Sequence, residues 1–128
     1  MTAIETFTTY DTSLAAGDLP AVAAMLAPDV IWHQPGGNPL SGRKVGPEGV
    51  LAHLGRFFEL SGGTFRLVTR TAVANGDLVV ATVEFSAQRE GRTPLAQSGI
   101  DVFRIADGLI AEVWLFSEDQ AAEDEFWS

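Results

Sequence analysis

The chain has 128 residues, 46% of them hydrophobic, and a formal net charge of −9. This length and composition indicate one globular domain spanning residues 1–128. Seventeen acidic residues against eight basic ones argue against nucleic acid and anionic membranes as partners, because phosphate groups are bound by clustered Lys and Arg. The chain has no cysteine, so disulfides, thiolate chemistry and Cys-ligated zinc are excluded.

The two ends of the chain carry little that points to a special location. Residues 1–6 lack the basic segment and apolar core of a signal peptide. No apolar run approaches the ~18 residues that a membrane helix needs. We therefore expect a cytoplasmic protein. Near the C-terminus, five acidic residues predict a solvated face, with a cation site as the alternative: Glu118, Asp119, Glu123, Asp124 and Glu125.

The first half of the chain predicts three helices. Apolar residues recur every three to four positions over residues 3–16, and Gly17 is suited to end this amphipathic helix. Asp18 can cap a short second helix with Pro20 in its first turn. A third helix is predicted from residues 46–48 to residues 61–63. Between the second and third, residues 30–34 predict a short strand, which a turn at residues 35–39 and a loop at 40–43 follow.

After residue 63 the apolar spacing changes from helical to alternating, which predicts a meander of antiparallel strands. Helices followed by strands indicate an α+β fold. A curved sheet laid over the helices would bury both apolar sides and leave a cavity, with Gly99 as a candidate source of curvature. On the convex face we expect Val68, Ile100, Val102 and either Val113 or Leu115, an apolar surface that predicts a homodimer.

Two residues could supply hydrogen-bond donors to a ligand. Asp101 shares a strand face with Phe103 and Ile105. Its carboxyl is either solvated at a strand end or kept protonated by apolar neighbours, since burial penalises the charged form. Tyr10 is either a core tyrosine or, beside Asp101, a second donor for a developing oxyanion.

The two histidines are the other candidates. Alternation places His33 on the strand face opposite Trp32 and Gln34. His33 is either structural or a general base, because imidazole titrates near neutral pH. His53 either lines the cavity mouth or fills a crevice. The two are too isolated for a metal motif, and the glycines form no phosphate-binding loop.

Several aromatic residues are predicted to be core, and around a cavity the core is also pocket wall. They are Trp32, Phe57, Phe103, Trp114 and Phe116. Glu112 alternates with Trp114 and Phe116, so we expect it to face inward or to lie at the edge of the cavity.

The order of elements resembles the nuclear transport factor 2-like (NTF2-like) superfamily, and within it SnoaL-like polyketide cyclases and ketosteroid isomerase-related proteins. The segments that carry the resemblance span nearly the whole chain: residues 10–18, 32–36, 46–50, 100–104 and 107–114. The resemblance implies a cone-shaped α+β barrel, also called cystatin-like. In it a curved antiparallel sheet wraps around three N-terminal helices and encloses a pocket for a small apolar molecule, with no cofactor or metal.

The resemblance also suggests roles for single residues. In ketosteroid isomerases a helix-one tyrosine and a strand aspartic acid form the oxyanion hole, and these match Tyr10 and Asp101. The isomerase base is an aspartate just before a proline, where this chain has Gln34, and a carboxamide takes no proton at neutral pH. His33 could replace the base if its strand bulged inward. Related epoxide hydrolases need an arginine where Gly99 stands, which disfavours that chemistry.

We therefore predict a cofactor-independent isomerase, cyclase or related lyase-type enzyme acting on a small apolar carbonyl or polyketide-like substrate. Asp101 and Tyr10 would polarise an oxygen, and His33 would move the proton. The pocket would comprise Trp32, Gln34, His53, Phe57, Phe103, Trp114 and Phe116. One alternative is a non-catalytic binding protein with the same cavity, and another is a structural dimer module whose cavity is packed shut.

Overall fold

The computed structural model describes all 128 residues and contains four helices and six strands. In chain order they are α1 (Ala3–Ala15), α2 (Leu19–Ala24), β1 (Leu26–Gln34), β2 (Gly42–Val45), α3 (Gly46–Leu60), β3 (Arg66–Asn75), β4 (Leu78–Ala87), β5 (Leu95–Ala106), β6 (Leu109–Ser117) and α4 (Gln120–Trp127). The α+β class and the three N-terminal helices are confirmed. No helix is both long and apolar enough to cross a bilayer.

Local interactions explain where the first helices begin. Thr2 and Glu5 form a reciprocal capping box at the start of α1, so that side chains satisfy backbone N–H groups that lack a helical partner. Asp18 accepts from the backbone N–H of Ala21, and Pro20 occupies the first turn of α2, as predicted. Helix α2 stops at Ala24, and β1 begins at Leu26, four residues before the predicted strand.

The six strands form one curved and open sheet in the order β2-β1-β6-β5-β4-β3. Four of the neighbouring pairs are antiparallel, whereas β1 and β6 run parallel. The prediction of a purely antiparallel sheet is therefore wrong for the β1–β6 pair. Strand β2, whose first two residues were predicted as a loop, pairs with β1 and forms one edge of the sheet.

Register shifts interrupt the strand pairing at three places and change which face a side chain occupies. One of them lies between Thr69 and Thr71 in β3, so that Thr71 no longer continues the face of Thr69. Another lies between Arg104 and Ile105, close to the β5–β6 turn. Such bulges increase the local twist of a sheet, which helps it to curve around the helices.

The face assignment of β6 is opposite to the predicted one. Val113 is fully buried and pairs with Phe103, so it belongs to the inner face. Leu115 pairs with Asp101 and lies on the same face, whereas Trp114 and Phe116 pair with Val102 and Ile100 on the outer face. The expectation that Val113 or Leu115 lies on the convex face is wrong, because an alternating run of uniformly apolar residues does not show which half is buried.

The C-terminal residues, predicted to form a solvated acidic face, instead form helix α4, one side of which is buried. Its side chains Phe126 and Trp127 are buried in a second apolar cluster with Leu40 and Phe57. Asp124 accepts hydrogen bonds from Asn38 and Gln120, which ties α4 to the loop after β1. The acidic residues of this helix therefore lie on two faces, and one of them, Glu123, is buried.

Candidate ligand-binding cavity

A cavity of about 430 Å³ lies between the helices and the inner face of the sheet. Most of its wall is apolar, which suits a small, largely apolar ligand. Helix α1, helix α3 and strands β1, β3, β4, β5 and β6 all contribute to it, and α4 adds Glu123 and Trp127. The alternative of a structural module whose cavity is packed shut is contradicted by this open volume.

Tyr10 projects from α1 into this cavity. Its ring packs against Phe7 and Phe103, with centroids 6.5 and 5.5 Å away, and the residue is only 3% exposed. Its hydroxyl makes no hydrogen bond to any protein group. Burial, followed by the nearby Asp101 and Asp11, raises the pKa of Tyr10 well above its ordinary value. The phenol therefore stays protonated and is available as a donor to a ligand.

Asp101 lies on the inner face of the sheet and lines the same cavity. Its neighbours across the strands are Ala81 and Leu115, neither of which offers a hydrogen bond from its side chain. Burial is the main cause that raises the pKa of Asp101 to about 7, and the carboxyls of Asp11 and Glu123 add to the effect. The sequence left two interpretations of the Asp101 carboxyl open. The structure supports a carboxyl held in the cavity and not one solvated at a strand end.

Two further carboxyls line the cavity, and the sequence analysis assigned neither to it. Asp11 accepts a hydrogen bond from the hydroxyl of Thr69 at 2.9 Å. Glu123 accepts from Ser117 at 2.9 Å and from Gln120 at 3.3 Å. Burial raises the pKa of Glu123.

The sequence held a signal for Glu123 that the charge pattern masked. Phe126 and Trp127 follow it by three and four positions, so all three share one face of a helix. The acidic residues over 118–125 dominate this stretch of sequence and obscure the apolar face of the helix.

Gln34 is the last residue of β1 and is placed at the cavity wall beside Trp32. Its side-chain oxygen lies 3.1 Å from the indole nitrogen of Trp32 and 2.9 Å from Nε2 of His53. His53 itself does not line the cavity: it is buried behind Gln34 with its ring packed against Phe57. The prediction that His53 lines the cavity mouth is therefore corrected.

His33 lies outside the cavity. The register shift of β1 lies between Leu26 and Ile31 and does not turn His33 inward. Nε2 of His33 lies 2.7 Å from Oε2 of Glu112 on the outer face. Its ring stacks on Trp114 with centroids 5.6 Å apart. His33, Glu112 and Trp114 therefore form an outer-face cluster, and the structure brings none of them to Tyr10 or Asp101.

The other predicted wall residues divide between the interior and the rim. Phe57 and Phe103 are buried and line the cavity. Phe116 also contacts it, but is 58% exposed and lies at the edge. No three His, Asp or Glu side chains come together as a metal site would require.

The SnoaL-like domain family matches residues 7–113. The chain belongs to the SnoaL-like domain family. An uncharacterized protein of Mycobacterium bovis is 32% identical over 117 residues, which cover 91% of this chain and 88% of that protein. The resemblance stated from the sequence is thereby confirmed at the level of the family.

Solved structures of related fold support the same conclusion for this SnoaL-like protein. A Xanthomonas campestris protein of unknown function with a cystatin-like fold is 43% identical, covers 100% of this chain and 99% of its own, and gives a TM-score of 0.93. Bal32a, from a soil-derived mobile gene cassette, is 27% identical over 98% of this chain and 96% of its own, with a TM-score of 0.92. The likeness therefore extends over the whole fold.

Proposed function

We propose that this SnoaL-like protein is an enzyme that performs acid–base chemistry, an isomerisation or a cyclisation, on a small and largely apolar carbonyl compound. The observation that carries the proposal is the presence of Asp101 and the unpartnered Tyr10 hydroxyl in one apolar cavity. A structural neighbour from Xanthomonas campestris that has itself been proposed to be a polyketide cyclase is 24% identical, has the same fold and is consistent with it.

The two donors have distinct roles in this proposal. The Tyr10 hydroxyl donates a hydrogen bond to the carbonyl oxygen, which becomes negatively charged when a proton leaves the adjacent carbon. The protonated form of Asp101 donates a second bond to the same oxygen. Each such donor can stabilise the transition state by roughly 3–4 kcal/mol, because the charge develops in a site with little water to screen it.

The proton from carbon needs an acceptor, and His33 is too far outside the cavity to supply it. The cavity offers two other carboxyl groups instead, on Asp11 and Glu123. Asp101 is not counted among them, because it must keep its proton to donate to the oxyanion. We assign the acceptor to one of these two carboxylates.

Deuterium exchange at carbon tests the proposal without knowledge of the natural substrate. In D₂O, the protein should accelerate exchange of the acidic C–H next to the carbonyl of 2-tetralone, a bicyclic ketone, as followed by proton NMR. Asp101→Asn and Tyr10→Phe should each lower this rate about 10²–10³-fold. Asp29→Asn, an exposed aspartate outside the cavity, is the matched control and should keep the rate.

A non-catalytic binding protein is the second candidate function. It is favoured by Gln34, which stands where the resemblance places a base and carries no proton-accepting group. The same experiment separates the two candidates. Binding of 2-tetralone by calorimetry with exchange no faster than in buffer would reject the enzyme and leave the binding protein.

We also infer a homodimer formed through the outer face of the sheet. Val68, Val80, Ile100 and Phe116 are exposed there. Two acidic residues of this face form ion pairs with arginines. Nη2 of Arg70 lies 2.6 Å from Oε2 of Glu84. Nη2 of Arg104 lies 3.6 Å from Oε1 of Glu112. For a chain of net charge −9, such a balanced apolar surface is suited to meet a second copy.

Sedimentation measures this dimer directly. The chain should sediment as a dimer, and Ile100→Asp should shift it towards the monomer, because a charge would then be buried at the interface. Asp77→Asn, in an exposed turn, is the control. A wild-type monomer at high micromolar concentration would overturn the inference.

A further inference from the structure

The side chain of Gln34 is fixed by two donors that meet at one atom. The indole Nε1 of Trp32 lies 3.1 Å from Oε1 of Gln34, and Nε2 of His53 lies 2.9 Å from the same oxygen. An indole N–H can donate but never accept, so the atom that faces it must be the amide oxygen and not the amide nitrogen. The orientation of the carboxamide is therefore set by its neighbours.

The same contact sets the tautomer of His53. Because the amide oxygen only accepts, Nε2 of His53 must carry the proton, and Nδ1 has none. Nδ1 is buried and has no hydrogen-bond partner. Burial, with smaller effects from Lys44 and Arg56, lowers the pKa of His53 to about 4, so the ring is neutral at physiological pH. His53 thus acts as a permanent donor to Gln34 and not as a proton carrier.

The amide NH₂ of Gln34 is left without a protein partner, although the residue lines the cavity. Strand register places it close to the other polar groups. His33 pairs with Trp114 in the parallel β1–β6 ladder, so the next residue, Gln34, stands beside Leu115. Asp101 pairs with Leu115 from the other side. Gln34 and Asp101 are thus two strand spacings apart, about 10 Å between Cα atoms, and flank the same stretch of cavity wall.

Hydrogen bonding at one end of an amide strengthens donation at the other. Two bonds to the oxygen draw electron density from the nitrogen, and bonds that polarise one another in this way are stronger in a medium with little water. The amide nitrogen of Gln34 is not among the buried unpaired atoms, so it is accessible at the cavity wall. A ligand that supplies an acceptor there makes a bond for which no protein group competes.

We propose that Gln34 is a specificity residue that donates its NH₂ group to a carbonyl oxygen of the ligand, and that Trp32 and His53 are positioning residues that hold it in this role. The inference rests on the proposed function, that the cavity takes a small carbonyl compound, and it names the chemistry that the cavity selects. Next to the Gln34 amide, the cavity prefers a ligand oxygen that accepts a hydrogen bond and carries no hydrogen of its own, as in a ketone, a quinone or an ester.

A pair of probes that differ in one carbonyl group tests this proposal. 9-Fluorenone and fluorene share a flat three-ring frame, and only fluorenone has the oxygen. Affinities are measured by calorimetry, and the carbonyl stretch of bound fluorenone by infrared difference spectroscopy. Wild-type protein should prefer fluorenone, and its carbonyl stretch should lie at lower wavenumber than in an apolar solvent.

The variant Gln34→Met keeps the length of the side chain and removes both amide donors. It should lose about tenfold in fluorenone affinity, should keep its affinity for fluorene, and should move the carbonyl stretch back to higher wavenumber. Gln88→Met, an exposed glutamine whose side chain makes no hydrogen bond, is the matched control and should behave as wild type.

A second pair of variants keeps the test decisive if Gln34→Met fails to fold. His53→Phe retains Gln34 but removes one of the bonds that orient it, so the carbonyl stretch should move part of the way back. His53→Gln can donate to the same oxygen and should restore the wild-type stretch, which a merely structural role of residue 53 would not require.

The failures of the two proposals are distinguishable. If wild-type protein binds neither probe, the proposed carbonyl cavity fails and this inference fails with it. If wild-type protein prefers fluorenone, and neither Gln34→Met nor His53→Phe changes the affinity ratio or the carbonyl stretch, then the role of Gln34 is wrong and the carbonyl cavity stands.

Discussion

The backbone oxygen of Phe116 approaches Gly99 so closely that a Cβ atom at position 99 would lie 2.7 Å from it. The ring of Phe85 would lie 3.2 Å from the same Cβ. The missing side chain therefore allows β5 and β6 to come together next to the cavity. This explains in physical terms why a glycine, predicted as a source of curvature, stands on the inner face two residues before Asp101.

Gly99→Ala should therefore destabilise the fold. The backbone oxygen is not free to move aside, so the two strands must separate, at a cost of about 1–3 kcal/mol in the free energy of unfolding by urea denaturation. Gly55→Ala is the matched control. A Cβ there meets nothing within 4 Å, and alanine in the middle of helix α3 should stabilise the protein by up to about 1 kcal/mol. Equal stability of Gly99→Ala and wild type would contradict the close approach.

The raised pKa of Asp101 links its proton to folding. Burial favours the protonated form, so its pKa is about 7 in the folded chain against 3.8 ordinarily. The stabilisation is complete below pH 3.8 and is lost as the pH rises through 7. It amounts to roughly 4 kcal/mol at most. Between pH 5 and pH 8, wild-type protein should lose more stability than Asp101→Asn, as measured by denaturation at each pH.

The comparison isolates one carboxyl from all others that titrate in the same range. Asp29→Asn removes an exposed aspartate of β1 and should leave the pH dependence of wild type unchanged. Parallel stability curves for wild type and Asp101→Asn would mean that the Asp101 carboxyl is ionised at no cost in the folded chain, and the site proposed for the oxyanion would lose one donor.

His53 should affect stability in the opposite direction. Its folded pKa of about 4 is below the ordinary 6.5, so the folded chain favours the neutral ring. The resulting stabilisation is complete above pH 6.5 and is lost as the pH falls through 4. Nitrogen-15 NMR of the ring should show the Nε2–H tautomer from pH 8 down to pH 5. A signal of the doubly protonated ring at pH 6 would refute the assignment.

Helix α4 should be a large contributor to stability. Trp127 is 2% exposed and packs edge-on against Phe57 and Phe126, with centroids 5.4 and 4.8 Å away. Trp127→Ala should cost about 3–5 kcal/mol, because it removes buried area and leaves a void beside the cavity. Glu125→Ala, exposed on the same helix, should change the free energy of unfolding by less than about 0.5 kcal/mol. A loss below 1 kcal/mol for Trp127→Ala would show that α4 is not docked in solution.

Local patterns determined much of the fold in advance. The capping residue Asp18 and the change from helical to alternating spacing after residue 63 act over a few neighbouring residues, so the chain alone reveals them. The family resemblance pointed to Tyr10 and Asp101 as a pair, and the structure places both residues in the wall of one cavity. Whether they act together in catalysis stays a prediction.

Other features depend on contacts between distant segments, and no local pattern contains them. The parallel pairing of β1 with β6 joins residues about 80 positions apart, and the bulges that exchange the faces of a strand are set by its partners. His33 and Glu123 show the consequence. Alternation within β1 does not say which face is inside, and a run of acidic residues does not say which one is buried.

The sequence by itself determined most of the elements, the family and three polar residues of the cavity (Tyr10, Gln34 and Asp101), because propensities, caps and alternation are properties of neighbours along the chain. Only the tertiary structure decided which histidine is buried, which way the Gln34 amide points and which carboxyls share the cavity. These depend on burial and on hydrogen-bond partners brought from distant elements, and their free energies exist only once the sheet has closed over the helices.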